Sequence, residues 1–204
     1  MKERGMIFNG EMVRAILEGR KTQTWRPFNW RRQPAMEMAE RDDGSLWPWA
    51  EDCERGGDIW FACPFGEVGD RIWVRETFRV HSRATDVATL VYRASVRNSW
   101  TEQTHRVPVA VCNKPATPEK WTPSIHMPRW ASRITLEIID VRVERLNSIT
   151  ESDAEAEGVT DTGFGDLLVD GFRYLWKSIY GDDSWQANPW VWVIEFKRVE
   201  GGAA

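Results

Sequence analysis

The chain has 204 residues and only three cysteines, Cys53, Cys63 and Cys112, with no C-x-x-C pair among them. An odd number at irregular spacing excludes a disulfide framework. A zinc site would need a histidine such as His105 or His126 to complete it, and regular metal-ligand spacing is missing. The cysteines therefore read as reduced thiols, with no metal expected. Histidine and tyrosine are also scarce, at three each. No apolar run approaches the ~20 residues that a helix needs to cross a bilayer. Met1-Lys2-Glu3-Arg4 is not followed by the apolar core of a signal peptide. A cytoplasmic protein without membrane contact is the expectation. An excess of basic charge is missing too: 27 Lys and Arg stand against 31 Asp and Glu, for a net charge of −4. That balance argues against gripping long nucleic acid through a general basic surface, but permits a local basic pocket.

What is abundant is tryptophan, 13 in all. Several stand in loop-like sequence, including Trp25, Trp30, Trp47, Trp49, Trp100 and Trp121. Indole offers both large buried area and a flat face for stacking on a base. Packing is the ordinary fate of any one of them.

Periodicity gives an α+β order. Met12, Val13, Ile16 and Leu17 form one apolar face of a short helix over Glu11 to Glu18, with Gly19 placed to cap it. Residues 27–68 lack sustained periodicity and read as a long loop insertion. Gly69-Asp70 turns into a strand at 71–76, and another strand falls at Thr89 to Arg93. Residues 95–130 read as a second loop insertion, rich in proline. Ile134, Leu136 and Ile138 alternate, then Ile139, Val141 and Val143 alternate on the other parity, as a long strand with a bulge would do. Thr150-Glu151-Ser152-Asp153 has the form of a capping box, and Gly158 stops the helix it starts. An amphipathic helix over Asp166 to Tyr180 turns Leu168, Phe172, Leu175, Trp176 and Ile179 inward. Val191 to Lys197 is a last strand, followed by a frayed tail at 200–204. One domain over 1–199 is expected.

Lys21 and Thr24 lie three apart just past the first helix. A threonine hydroxyl becomes a nucleophile when a base takes its proton, and a lysine amine serves as that base if desolvation lowers its pKa. A carboxylate nearby could orient the pair and carry protons. Spacing does not reveal which carboxylate it would be.

Several blocks resemble one family. Gly19-Arg20-Lys21-Thr22-Gln23-Thr24-Trp25-Arg26 is similar to the opening signature of ASCH domains, G-R-K-T-x-T-x-R. Gly69-Asp70-Arg71-Ile72-Trp73-Val74 resembles the family's G-D-x-L-x-V strand, and Val193-Ile194-Glu195-Phe196 its closing V-I-E-F. The segment from Ser124 to Arg133 resembles the longer ASCH proteins of phages and prophages. The resemblance implies a PUA-like β-barrel flanked by short helices. In the small bacterial ASCH amidohydrolases that deacylate N(4)-acetylcytidine, the catalytic set is a lysine and a threonine of the opening signature plus a glutamate on a late short helix. Carried over, these are Lys21, Thr24 and Glu157, with Glu155 the alternative if the alignment slips. No metal or cofactor is implied. Trp25 stands where the phage branch has arginine, and both insertions are absent from the small enzymes.

Three functions follow as expectations. The first is hydrolysis of an N(4)-acylated cytidine or cytosine, with Arg26, Trp25, Arg129 and Trp130 contacting the nucleoside. The second is an RNA-binding module using Lys21, Arg26, Arg129 and Arg133. The third is a ribonuclease drawing on His81, His105 or His126.

Overall fold

The computed structural model describes residues 1–28, 37–52, 54, 56–160 and 167–199. Trp30, Cys53, Asp166 and the tail at 200–204 lie outside the described residues. In chain order the elements are β1 (Glu3–Ile7), α1 (Gly10–Leu17), β2 (Gln23–Pro27), β3 (Glu37–Glu40), β4 (Leu46–Glu51) and β5 (Asp58–Trp60). They continue as β6 (Arg71–Arg75), β7 (Phe78–Arg83), β8 (Val87–Tyr92), α2 (Trp100–Gln103), β9 (Thr104–Pro108) and β10 (Thr135–Arg145). Last come α3 (Glu151–Ala156), α4 (Leu168–Tyr180), α5 (Asp183–Gln186) and β11 (Trp190–Arg198). The described residues of 1–19, 70–137 and 197–199 form one compact unit, and those of 20–69 and 138–196 form another.

In the first unit β6 lies between β1, which it pairs in parallel, and the start of β10, which it pairs antiparallel with Leu136 opposite Ile72. Gly5 pairs with Trp73, and a Cβ on Gly5 would meet the indole Cζ2 at 2.5 Å. Glycine there lets the indole lie flat on β1, where any side chain would collide with it. α1 is capped by Asn9, whose side chain accepts from the Met12 N–H, and it buries Val13, Ala15 and Ile16. A second sheet, β7-β8-β9, is antiparallel. Its core gathers Phe78, Val80, Leu90, Tyr92 and Val107 with Met127.

In the second unit β11 pairs antiparallel with β2, Thr24 opposite Ile194, and neighbours β10 on its other side. Trp25, Leu146, Phe172, Trp176, Val191 and Val193 make the core under α3 and α4. β3, β4 and β5 form an antiparallel sheet of their own, from which Trp47 meets Trp192 edge-on at 5.1 Å.

The α+β class stands. The loop insertions do not: 27–68 carries a three-stranded sheet, and 95–130 contributes α2 and β9, the latter an outer strand of its sheet. Their short strands, one of them containing Pro48, gave too little alternation to be seen. Every strand order is linear, so among the described residues no sheet closes into the expected β-barrel. In β10 the first set holds, since Leu136 and Ile138 are buried, but of the second set Ile139 is exposed, Val141 is half-buried and only Val143 is buried. In α4 the inner face is Phe172 and Trp176; Ile179 is exposed, and Tyr180 packs on the core instead.

Candidate functional site

Gly19, at φ +75°, ends α1 and releases the chain into the 20–24 segment. Backbone bonds then fix that segment from two sides. Thr22 N–H donates to the Ala156 carbonyl at 2.8 Å, and Phe196 N–H donates to the Thr22 carbonyl at 2.8 Å. The Gln23 side-chain amide donates to the Asp153 carbonyl at 2.9 Å. On the other side, α3 starts at the capping box of Thr150 and Asp153 and ends with Glu157 as its C-cap, followed by Gly158 at φ +87°. The helix thereby delivers Glu157 to the same place as Lys21.

Lys21 Nζ donates to the Glu157 carbonyl oxygen at 3.0 Å and to Glu157 Oε2. The other carboxylate oxygen, Oε1, accepts from the backbone N–H of Trp25. Both side chains are buried, with 0% and 2% of their surface exposed. Burial pushes the Lys21 ammonium below the ordinary lysine value; Glu157 opposes that shift and the nearby Arg26 adds to it. Thr24, also buried, sits on β2 between Gln23 and Trp25. Among the described residues its hydroxyl has no hydrogen-bond partner, and the bonds of Lys21 go to Glu157. Glu155 is exposed on α3.

Outside this pair lies a layer that sequence reading missed. Arg142 on β10 contacts Asp153 Oδ1 at 3.1 Å and Gln23 Oε1 at 3.4 Å, and also pairs with Glu195. It ties β10, β11, α3 and the 20–24 segment together. Nothing in the local pattern around Arg142 marks it.

Trp25 is a core residue whose ring meets Phe172 at 6.0 Å, and it reaches the site through its backbone alone. Arg26 is half-buried on β2, opposite Trp192. Arg129 and Trp130 belong to the first unit. Arg129 grips the Glu3 carboxylate at 2.8 Å, and Trp130 packs edge-on against Phe78 at 6.4 Å. Arg133 makes two bonds to Glu76, at 2.9 and 3.1 Å, and covers the Tyr92 ring. His126 is exposed, His81 meets Trp100 at 5.0 Å, and His105 is half-buried, with its pKa lowered by burial and by the Arg133 charge. Cys63 and Cys112 are buried. Among the described residues no group of three or more His, Cys, Asp or Glu is placed to hold a metal ion. No described helix is long and apolar enough to cross a membrane.

No protein-family model matches the chain, and no curated protein matches it. Among solved structures it is similar to the crystal structure of an ASCH domain from Lactobacillus crispatus JV V101. The likeness spans 97% of this chain and 79% of that one at 11% identity, with a TM-score of 0.44. No residue role follows from a likeness of that degree.

Proposed function

We propose that the chain is an ASCH-type amidohydrolase that removes the acyl group from an N(4)-acylated cytidine or cytosine. The observation that carries this reading is the buried Lys21–Glu157 pair, held one residue from Thr24 by the Trp25 N–H. Burial lowers the Lys21 pKa and so favours the neutral amine that a general base requires, against the pull of Glu157 toward the ammonium. In the proposed reaction Thr24 Oγ1 attacks the amide carbonyl as its proton passes to Lys21 Nζ. The tetrahedral intermediate collapses by breaking the C–N bond, and the Lys21 ammonium returns the proton to the leaving cytosine amine. Water then attacks the threonyl ester, giving its proton to Lys21, and releases the carboxylic acid with Thr24 restored. Glu157 orients Lys21 and stabilises the ammonium formed in each half. Because Thr24 is buried, the carbonyl reaches it only when neighbouring groups give way.

The RNA-binding reading has less support. Three of its four cations, Lys21, Arg129 and Arg133, already pair with Glu157, Glu3 and Glu76. No described contact favours the ribonuclease.

Hydrolysis of N(4)-acetylcytidine and a bulkier N(4)-acyl analogue, followed by the ring absorbance, tests the proposal. Thr24→Val, which keeps the shape and removes the hydroxyl, is expected to reduce turnover by ~10³-fold or more while the melting curve stays close to wild type. Wild type inert on both compounds, or Thr24→Val as active as wild type, rejects the mechanism.

A further inference from the structure

A cavity of about 540 Å³ opens in the first unit, within the range of ~300–1,000 Å³ typical of small-molecule sites. Three arginines from two parts of the chain converge on it: Arg14 from α1, and Arg93 and Arg97 from the turn after β8. Arg14 Nη1 donates to the Ala94 carbonyl at 3.4 Å, which draws the α1 guanidinium toward that turn. None of the three has an ion-pair partner among the described residues. The one carboxylate on the cavity wall is Glu76, and both its oxygens already accept from Arg133. Burial raises the Glu76 carboxyl above the ordinary range, and the bonds from Arg133 act against that rise.

The wall therefore carries three uncompensated guanidiniums, in a chain whose net charge is −4. Like charges gathered at one cavity repel one another unless an anion sits between them. Guanidinium forks match phosphate oxygens in geometry as well as charge. The rest of the wall is not that of a bare phosphate site. Ile7 and Val96 are exposed apolar side chains there, whereas Phe8 on the same wall is buried. Asn9, Thr77 and Ser124 add neutral polar groups.

We propose that this cavity binds a phosphate monoester of mononucleotide size. Arg14, Arg93 and Arg97 hold the phosphate, and the flat organic body lies against Ile7 and Val96. The site stands apart from the Lys21 chemistry. A chain that fails to hydrolyse acylcytidine still binds the monoester if the cavity is as described, and a chain that hydrolyses it gains no support for this site.

The test is calorimetric titration of the full chain with the four ribonucleoside 5′-monophosphates, their nucleosides and inorganic phosphate, at low and raised salt. At least one monophosphate is expected to bind roughly tenfold or more tighter than either its nucleoside or inorganic phosphate, and to weaken with salt. Arg93 and Arg97 are exposed, so the double variant Arg93→Gln/Arg97→Gln is expected to keep the wild-type melting curve. It should lose roughly tenfold or more in affinity for the monophosphate. Arg14→Gln should lose affinity likewise. Absence of binding by all four monophosphates overturns the proposal, as does undiminished binding by the double variant. Inorganic phosphate binding as tightly as the esters overturns it too, because the apolar wall then contributes nothing.

Discussion

Lys21 and Glu157 hold each other in place at a cost that only the pair can offset. Each charge alone would be stranded away from water, and removing one partner of a buried pair typically costs about 3–5 kcal/mol. Lys21→Met and Glu157→Gln are therefore expected to melt well below wild type. The double variant Lys21→Met/Glu157→Gln should melt above either single one, because no uncompensated charge remains. Urea melts of the four proteins decide this, and a double variant as weak as the sum of the singles would mean the two groups are not coupled. The lowered pKa of Lys21 adds a sign. Between its value in the folded chain and the ordinary lysine value, the unfolded chain holds more protons, so stability rises with pH across that window. Below the window the penalty is constant, and in a Lys21→Met background the rise should be gone. The residues of the pair were legible in the sequence through a family signature and a capping box. The bonds between them were not, because Lys21 and Glu157 are 136 positions apart and only the fold brings them together. The contacts of Arg142 with Gln23 and Asp153 were not legible for the same reason.

At the scale of one element, α3 positions Glu157, and its first turn depends on Thr150. The Thr150 hydroxyl accepts from the Asp153 N–H at 3.2 Å, and the Thr150 N–H donates to Asp153 Oδ2 at 3.0 Å. Thr150→Ala is expected to lower stability by about 1 kcal/mol. For the Asp153 carboxyl, burial acts upward, but the bonds from Thr150 and Gln23 prevail and hold it below the ordinary aspartate value. Its stabilisation is present above that ordinary value and is lost as pH falls through the folded one. Melts toward acid pH should therefore show a shallower decline for Thr150→Ala than for wild type, and parallel declines would remove Asp153 from the account. Elements with this kind of local signal, α1, α3, α4, β6 and β11, were readable from periodicity and caps. β1 was not, because Gly5 lies beneath the Trp73 ring and Met6 is its only buried residue, so no alternation survives. β3, β4 and β5 are three to six residues long and partly exposed, so residues 27–68 carry no strand signal in the sequence.

At the scale of the whole molecule, neither unit is a contiguous piece of chain. The first needs β1 against β6, with Gly5 opposite Trp73, before the sheet behind α1 exists. The second needs β2 against β11, with Thr24 opposite Ile194, before Trp25 can enter its core. Closing loops of that length takes conformational entropy before the contacts repay it, and such topologies refold in roughly milliseconds to seconds rather than microseconds. Dilution from urea, followed by the fluorescence of the 13 tryptophans, should show the main recovery on that slow scale. Thr150→Ala acts on a short local helix, so it should speed unfolding more than it slows refolding. Gly5→Val bears on a long-range strand pair, so it should slow refolding of the tryptophan signal if β1–β6 docking belongs to the rate-limiting step. If wild type refolded in a single sub-millisecond phase, the strand pairs that define both units could not be the late, limiting events. Local helices would then have to organise the chain before β1 and β2 dock.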